Sequence, residues 1–537
     1  MISLEKHLAT LAPPSLKDNT APVDRLHKAL RKKTGLWPAA ALKRLAGFAE
    51  TIRQSGYQVT ATLGRGRQGS VLLAVEGGDT TSAPPAAKLA RRATEVPAGL
   101  WGEKRLGVAL DIGSTHLEAA LHDLAGGREL AHLTRLNPQV PEGADILTRI
   151  HAAATPAGLS RLHHMLVEAV GQLVTGLCGL AGRRPDEVVG MVAAGNTTMT
   201  HFFLGLPVAT LCREPYLPVV NRPWPFFAAD LGLAWAPGAV VWALPNVGSY
   251  FGGDLMAGMV AADLHERKRP AMLVDVGTNA EVVLGNRDWL VACAGAAGPA
   301  LEGGVAKMGI LAQPGAVDGV RIDPASKEPV LSVIPDEQGR VPRAKGLCGS
   351  GLLSLLAQMY LCRIIDVRGR FILKDHPRMT MTDEGPGYVV AKASESAGGE
   401  PIVVNEVEID ILLRSKAAMY TILRTVTLEV GVDFTDLEAF FIAGAFGNVI
   451  DPKTAIILGM LPDLPLSRFV PLGNASLAGG RILLNSPGAR PEVDALAERL
   501  TYLELNVNQA LMNRFSAARF IPHTDAARFP SVPSFRP

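Results

Sequence analysis

Asp111 and Asp275 are the residues on which chemistry can be built. Each closes an apolar run and opens a turn of glycine with hydroxyl or amide residues. Residues 106–121 read LGVALDIGSTHLEAAL, and residues 271–285 read AMLVDVGTNAEVVLG. A carboxylate at a strand end can orient a divalent cation or an attacking water. The turns, Gly113-Ser114-Thr115 and Gly277-Thr278-Asn279, let backbone N–H groups approach an anion closely, so each is a candidate phosphate cradle. Aligning the two acids puts Gly113 on Gly277, Ser114 on Thr278 and Thr115 on Asn279, at a spacing of 164 residues. Repetition at the spacing of a domain implies two related halves facing each other, each with its own phosphate hairpin.

The chain around these turns alternates strands and helices from Leu106 onward. Ser160–Leu180 carries a helical apolar stripe (Leu162, Met165, Leu166, Ala169, Leu173, Leu177). Val188–Ala193 reads as a buried strand that ends in Gly195-Asn196-Thr197-Thr198. There Asn196 and Thr197 either present side chains to a ligand or cap the following helix. Residues 206–242 form an irregular excursion rich in proline and aromatic residues, and Gly248–Ala262 reads as a small-residue helix. In residues 294–304, AGAAGPALEGG, Glu302 is the sole charge, suited to pairing a cation or capping a turn. GLCGSGLL (346–353) opens a helix with Gly349 and Gly351, and its N-terminus can meet phosphate. A long helix is expected over Val407–Val430 and a strand over Leu437–Phe441. That strand runs into IAGAFG (442–447), where Gly444, Ala445 and Gly447 let an adenine ring slide against the backbone. Leu472–Leu484 and Pro491–Val507 read as two final helices.

Composition narrows the class. A chain of 537 residues, 48% hydrophobic and 19% charged, makes about two to four domains with an ample core. A net charge of +2 gives no case for nucleic-acid or membrane binding. No apolar run reaches the roughly 18 residues of a membrane helix, and no signal peptide is evident, so a cytoplasmic protein is expected. Cys178, Cys212, Cys293, Cys348 and Cys362 include no C-x-x-C pair. They are expected to be buried free thiols, with no iron–sulfur cluster in this chain. Residues 1–76 read as a small region of two helices broken near Pro38 plus a β-hairpin, and 77–104 as a flexible linker. GRGRQGSV (64–71) matches a kinase glycine loop, but no V-A-I-K strand, H-R-D or D-F-G accompanies it, and a hairpin bearing arginines is the better reading. Basic side chains outnumber acidic ones about two to one over residues 1–105, as a solvated charge run or as a docking face for an acidic partner.

The order D-I-G-S-T, A-G-N-T-T-M, D-V-G-T-N, A-A-G-P-A-x-E-G-G, G-L-C-G-S-G-L and I-A-G-A-F-G-N resembles the acetate and sugar kinase/Hsp70/actin (ASKHA) superfamily. Within it, residues 106 to about 515 resemble the reductive activators of corrinoid proteins. The resemblance implies an α/β fold with two ribonuclease-H-like (actin-like) subdomains, 105–262 and 263–515, around a nucleotide cleft. A small α+β linker-type region precedes them and a tail, 516–537, follows. It also implies ATP and Mg²⁺, a homodimer, and ATP hydrolysis that drives electron transfer to a Co(II) corrinoid. Carried over by position, Asp111 and Asp275 hold Mg²⁺ through water and orient the attacking water, with Asn196 and Glu302 as further catalytic candidates. Gly113, Ser114, Thr115, Gly277, Thr278 and Asn279 cradle phosphates, with Gly349 and Gly351 as further contacts, and Gly444, Ala445 and Gly447 line the adenosine pocket. Three departures stand out. Neither of the family's common cluster domains is present, so the client corrinoid protein would be served by a separate ferredoxin-like donor. Ala280 replaces the usual glycine after Gly277-Thr278-Asn279. Cys293 and Cys348 fall inside nucleotide-site motifs. The alternatives are a small-molecule kinase of the same superfamily, with residues 206–242 as its pocket, or a nucleotide-gated binding module. The two retained acids argue against the latter.

Overall fold

The apolar runs that end in the two acids become the central strands of two sheets, Leu106–Ile112 and Ala271–Val276. Both are buried along nearly their whole length, as Val, Leu, Ile and Ala on two covered faces require. The computed structural model describes residues 3–535 except 17, 67–68, 84–105, 144, 250, 278, 297–306, 445–449, 487 and 504–508. The chain divides into two compact units, Met1–Ala261 with Ala475–Leu500, and Ala262–Asn474 with Thr501–Pro537.

In the first unit the sheet runs Arg128–Leu136, His116–Asp123, Leu106–Ile112, Val188–Gly195, Val240–Ala243, with Phe226–Phe227 at the edge. The first three strands are antiparallel, and Leu106–Ile112, Val188–Gly195 and Val240–Ala243 are mutually parallel. The second unit repeats this order and these directions. Leu290–Ala296, Asn279–Gly285 and Ala271–Val276 are antiparallel, then Phe440–Ala443 and Phe469–Gly473 join in parallel. Three antiparallel strands followed by two parallel ones make each sheet ribonuclease-H-like, the actin-like α/β fold expected from the repeated hairpin.

Local chemistry explains the long helices. Thr155 accepts from the Gly158 N–H ahead of Pro156–Leu180, with Pro156 at the first helical position. Asn405 accepts from the Val407 and Glu408 N–H groups while Glu408 accepts from Asn405 N–H, a reciprocal cap on Glu406–Glu429. The N-terminal region is a four-stranded sheet, Ser3–Thr10, Gln58–Gly66, Gly69–Gly77 and Ala39–Ala40, under helices Pro22–Thr34 and Leu42–Gln54. Strand Ser3–Thr10 was not legible in SLEKHLAT, because eight pairings with residues 58–65 make it, not its own pattern.

Buried polar atoms fasten this region to the first unit. Asp24, 1% exposed, accepts from Asn221 N–H at 2.6 Å and Arg222 N–H at 3.2 Å. Asn221 in turn accepts from Ala21 N–H and donates to Asn246. His201, wholly buried, bonds Thr197 O through Nδ1 at 2.7 Å and accepts from Val219 N–H through Nε2 at 3.0 Å. The excursion 206–242 is therefore packed scaffold, with Leu206, Val208, Leu217, Val219 and Phe226 in the core. This removes the feature that suggested a kinase pocket.

Several sequence boundaries need correction. Residues 475–500, read with the second half, belong to the first unit, where helix Ala475–Leu484 packs against Leu106–Ile112 and Gly253–Ala261. Of residues 516–537, read as a tail, the described ones, 516–535, pack into the second unit. Ile521 and Phe529 are 1% exposed, and buried Lys416 donates Nζ to Pro522 O at 2.8 Å. The stretch 491–507 is not one helix but Arg490–Arg499 followed by strand Leu500–Tyr502. Two small sheets within residues 316–405 were not anticipated at all. Among the described residues no helix is long and apolar enough to cross a membrane.

Candidate functional site

Each unit presents its acid at the same place in its sheet. Asp111 lies opposite Glu118 in the antiparallel neighbour and Ala194 in the parallel one. Asp275 lies opposite Glu281 and Ala443 in the same two relations. The turns differ by one residue. Residues 113–116 separate the pair Ile112–Leu117, whereas only 277–279 separate Val276–Ala280. Ala280 is thereby a buried strand residue opposite Val276 and not part of the turn.

That one-residue difference hid Glu118 and Glu281 from the sequence alignment. Directly opposed residues point to one face of a sheet, and like charges so opposed are destabilising by a few tenths to about 1 kcal/mol. The opposition occurs in both units at one register; Glu118 also meets His132 Nε2 at 2.7 Å, and a divalent cation would offset the remaining like charge. Among the described residues no three His, Cys, Asp or Glu side chains converge to hold a metal ion. Hard carboxylate oxygens in ones and twos suit Mg²⁺, which keeps much of its own water. The donor set fits that ion.

In the first unit the loop is braced from two sides. Asn137, wholly buried, donates Nδ2 to Gly113 O at 2.8 Å, and its N–H donates to Thr115 O at 2.8 Å. A Cβ on Gly113 would stand 2.5 Å from His116 O, so the turn closes only with glycine there. Ser114 is half-buried and Thr115 exposed at the tip. Ser476, from helix Ala475–Leu484, donates Oγ–H to Asp111 Oδ1 at 2.7 Å. A hydrogen bond to the charged form favours a carboxylate's ionisation and fixes its rotamer. Neither Asn137 nor Ser476 was singled out from the sequence; a polar residue just past a strand and a hydroxyl opening a small-residue helix were the available signals. Asn196 follows Gly195, the strand partner of Ile112, so it stands beside the turn. Its Oδ1 accepts from Met199 N–H at 2.9 Å, which makes it the helix cap. Thr197 spends its hydroxyl on the Gly248 and Phe251 carbonyls.

In the second unit the acid is accommodated by a missing side chain. Gly444 follows the strand beside Asp275 with φ 83°, and a Cβ there would stand 2.4 Å from Asp275 Oδ1. Its N–H donates to Gly473 O at 3.0 Å, which fixes the turn. Asp275 and Gly277 are half-buried, and the backbone of Asn279 begins the return strand. Thr278, Glu302, Ala445 and Gly447 lie outside the described residues.

Gly349 and Gly351 do open helix Gly349–Leu361, but on a different sheet from Asp275. A Cβ on Gly351 would stand 2.1 Å from Val317 O. Close packing accounts for that glycine without a phosphate. The cysteines are free, four of them buried. Burial pushes Cys178 up to about 11, and burial reinforced by Glu281 pushes Cys293 well up, so both are protonated thiols at neutral pH.

The comparisons with known proteins agree with this geometry. Residues 3–82 match the RACo linker region, 106–267 the RACo middle region, and 269–533 the C-terminal domain of RACo, its ASKHA domain. The corrinoid activation enzyme RamQ of Eubacterium limosum is 30% identical over 408 residues, covering 74% of this chain and 67% of that one. A [Co(II) methylated amine-specific corrinoid protein] reductase of Methanosarcina barkeri is 25% identical over 421 residues, covering 74% and 73%. A solved reductive activator for a corrinoid, iron–sulfur protein superposes with a TM-score of 0.70 at 33% identity, over 98% of this chain and 80% of that one. With linker, middle and ASKHA regions all matched in order, this chain belongs to the RACo family of reductive activators of corrinoid proteins.

Proposed function

We propose that the chain is an ATP-dependent activator of a corrinoid protein. The observation that carries this is an acidic glycine hairpin at one register of one strand order in both units. Asp111 and Asp275 are the residues that would hold Mg²⁺ and align the attacking water. The turn N–H groups of 113–115 and 277–279 donate to phosphate oxygens, and Asn196 adds an amide donor. Gly444, with Ala445 and Gly447, lines the adenosine pocket, and Glu302 supplies a further carboxylate. Mg²⁺, when bound, neutralises charge on the phosphates. Hydrolysis then drives the uphill reduction of the client's Co(II) corrinoid; the relatives' names support the corrinoid client and its reduction, and the coupling to ATP is the part proposed here. In this reading the electrons come from a separate ferredoxin-like donor, and the working form is a homodimer.

The test is hydrolysis of Mg-ATP by the purified protein, with and without a corrinoid protein. The wild type is expected to turn over, and Asp275→Asn to lose about 100-fold or more with its circular dichroism unchanged. Absence of hydrolysis under both conditions would overturn the reading.

A further inference from the structure

The first unit also holds an open groove of about 500 Å³, lined by Lys28, Arg31, Lys32, Trp37 and Glu498. The three cations sit at i, i+3 and i+4 on helix Pro22–Thr34, whose other face buries Val23, Leu26 and Leu30. All three are exposed. Lys28 and Lys32 have no carboxylate within 4.0 Å among the described residues, and Arg31 reaches only Glu498, at 3.6 Å.

The floor is built differently from the rim. The Arg222 guanidinium lies 4.1 Å over the Trp37 ring and pairs with both Asp24 and Glu498. Burial pulls the Arg222 pKa down, but Asp24 and Glu498 more than offset it, so the guanidinium stays charged. Arg222 is 9% exposed and Asp24 1%. His27 packs against the same tryptophan at 5.1 Å between ring centres. Three distant stretches of chain thus hold an aromatic floor, its Arg222 paired with two carboxylates, beneath a rim on which Lys28 and Lys32 have no carboxylate within 4.0 Å among the described residues. Lysines act there as point charges for carboxylates, and the tryptophan offers a flat apolar face.

We propose that this groove docks an acidic partner protein, the electron donor of the function given above; the inference rests on that reading. Clusters ligated by thiolates carry net negative charge, and transient electron-transfer encounters use small interfaces steered by charge. A shallow groove with a lysine rim suits such an encounter.

The test is the charge-reversed variant K28E/R31E/K32E in the full chain, with a [2Fe–2S] ferredoxin as donor and Ti(III) citrate as the small reductant. With ferredoxin, the KM for the donor is expected to rise about tenfold or more and its salt dependence to flatten. ATP hydrolysis and reduction driven by Ti(III) citrate stay at the wild-type level. The milder K28Q/K32Q is expected to raise the same KM about threefold, which separates docking from misfolding. An unchanged KM for ferredoxin, an equal loss with both reductants, or a rise only in the KM for the corrinoid protein overturns the proposal. If the wild type activates nothing even with Ti(III) citrate, the functional reading fails. Calorimetric binding of ferredoxin at low salt then still decides the groove, since retention of binding by the triple variant contradicts it.

Discussion

The two hairpins share a strand order and a register, yet their carboxylates have different neighbours. Asp111 is held by a donor, the Ser476 hydroxyl at 2.7 Å, over a turn braced by Asn137. Asp275 packs its Oδ1 against Gly444, where a Cβ would stand 2.4 Å away. A hydrogen bond to a carboxylate favours its ionised form; a glycine beside it admits a rotamer that any side chain would block. The difference teaches that a repeated motif need not have repeated surroundings: a serine from a distant helix meets the first acid, and a glycine at the neighbouring strand end admits the second.

Breaking the glycine contact should cost most. Gly444→Ala forces a side chain into a left-handed conformation, worth about 1–2 kcal/mol, and displaces Asp275. Hydrolysis should fall about 100-fold, since a displacement of about 1 Å suffices for that. Turnover close to wild type in a steady-state ATPase assay would show that Asp275 needs no such room.

Removing the donor on the other side should cost less. Ser476→Ala is expected to lower kcat about tenfold with little change in KM for ATP, and Ser476→Thr to restore most of it. An effect on KM alone, or no rescue by threonine, would make the hydroxyl a packing detail. Glu281→Gln separates the units further. Relief of the opposed acids should raise the melting free energy without Mg²⁺ by about 0.5 kcal/mol while raising the Mg²⁺ needed for turnover. Thermal melts with and without the ion check both signs.

At neutral pH the smallest effect is expected from the buried imidazoles, three of which lie in the first unit. Burial lowers His27, His122 and His201 to about 4, with the neighbouring Arg222 and Arg481 adding to the fall for the first two. A folded pKa below the unfolded value leaves stability complete above about 6.5 and drains it as pH falls toward 4. Each contributes at most about 3 kcal/mol by that route. Denaturant melts between pH 7 and 4 should show the first unit loosening, and hydrogen exchange in helix Thr197–Leu204 should locate the loss. Equal protection there at pH 7 and 4.5 would contradict the assignment for His201.

How much of this was legible in the sequence follows from the range of each interaction. The hairpins were, because an apolar run, an acid and a glycine turn act within about 15 contiguous residues. The Ser476 contact was not, since it joins residues 365 positions apart. Glu118 and Glu281 were masked by one residue of turn length, which shifts any alignment taken from the acids. Gly351 shows the converse ambiguity: a glycine opening a helix is required by close packing, here against the Val317 carbonyl, whether or not its backbone also meets a phosphate. The division of the chain also escaped a linear reading, because 475–500 returns to the first unit after the second has been built.

The most direct measurement is anaerobic reduction of a corrinoid protein, followed by the cobalt absorbance, with a low-potential reductant and with or without Mg-ATP. Co(I) should accumulate only when ATP is present and hydrolysed, and both Asp111→Asn and Asp275→Asn should abolish it. Reduction that proceeds equally without ATP, or that survives loss of either acid, would contradict the assignment.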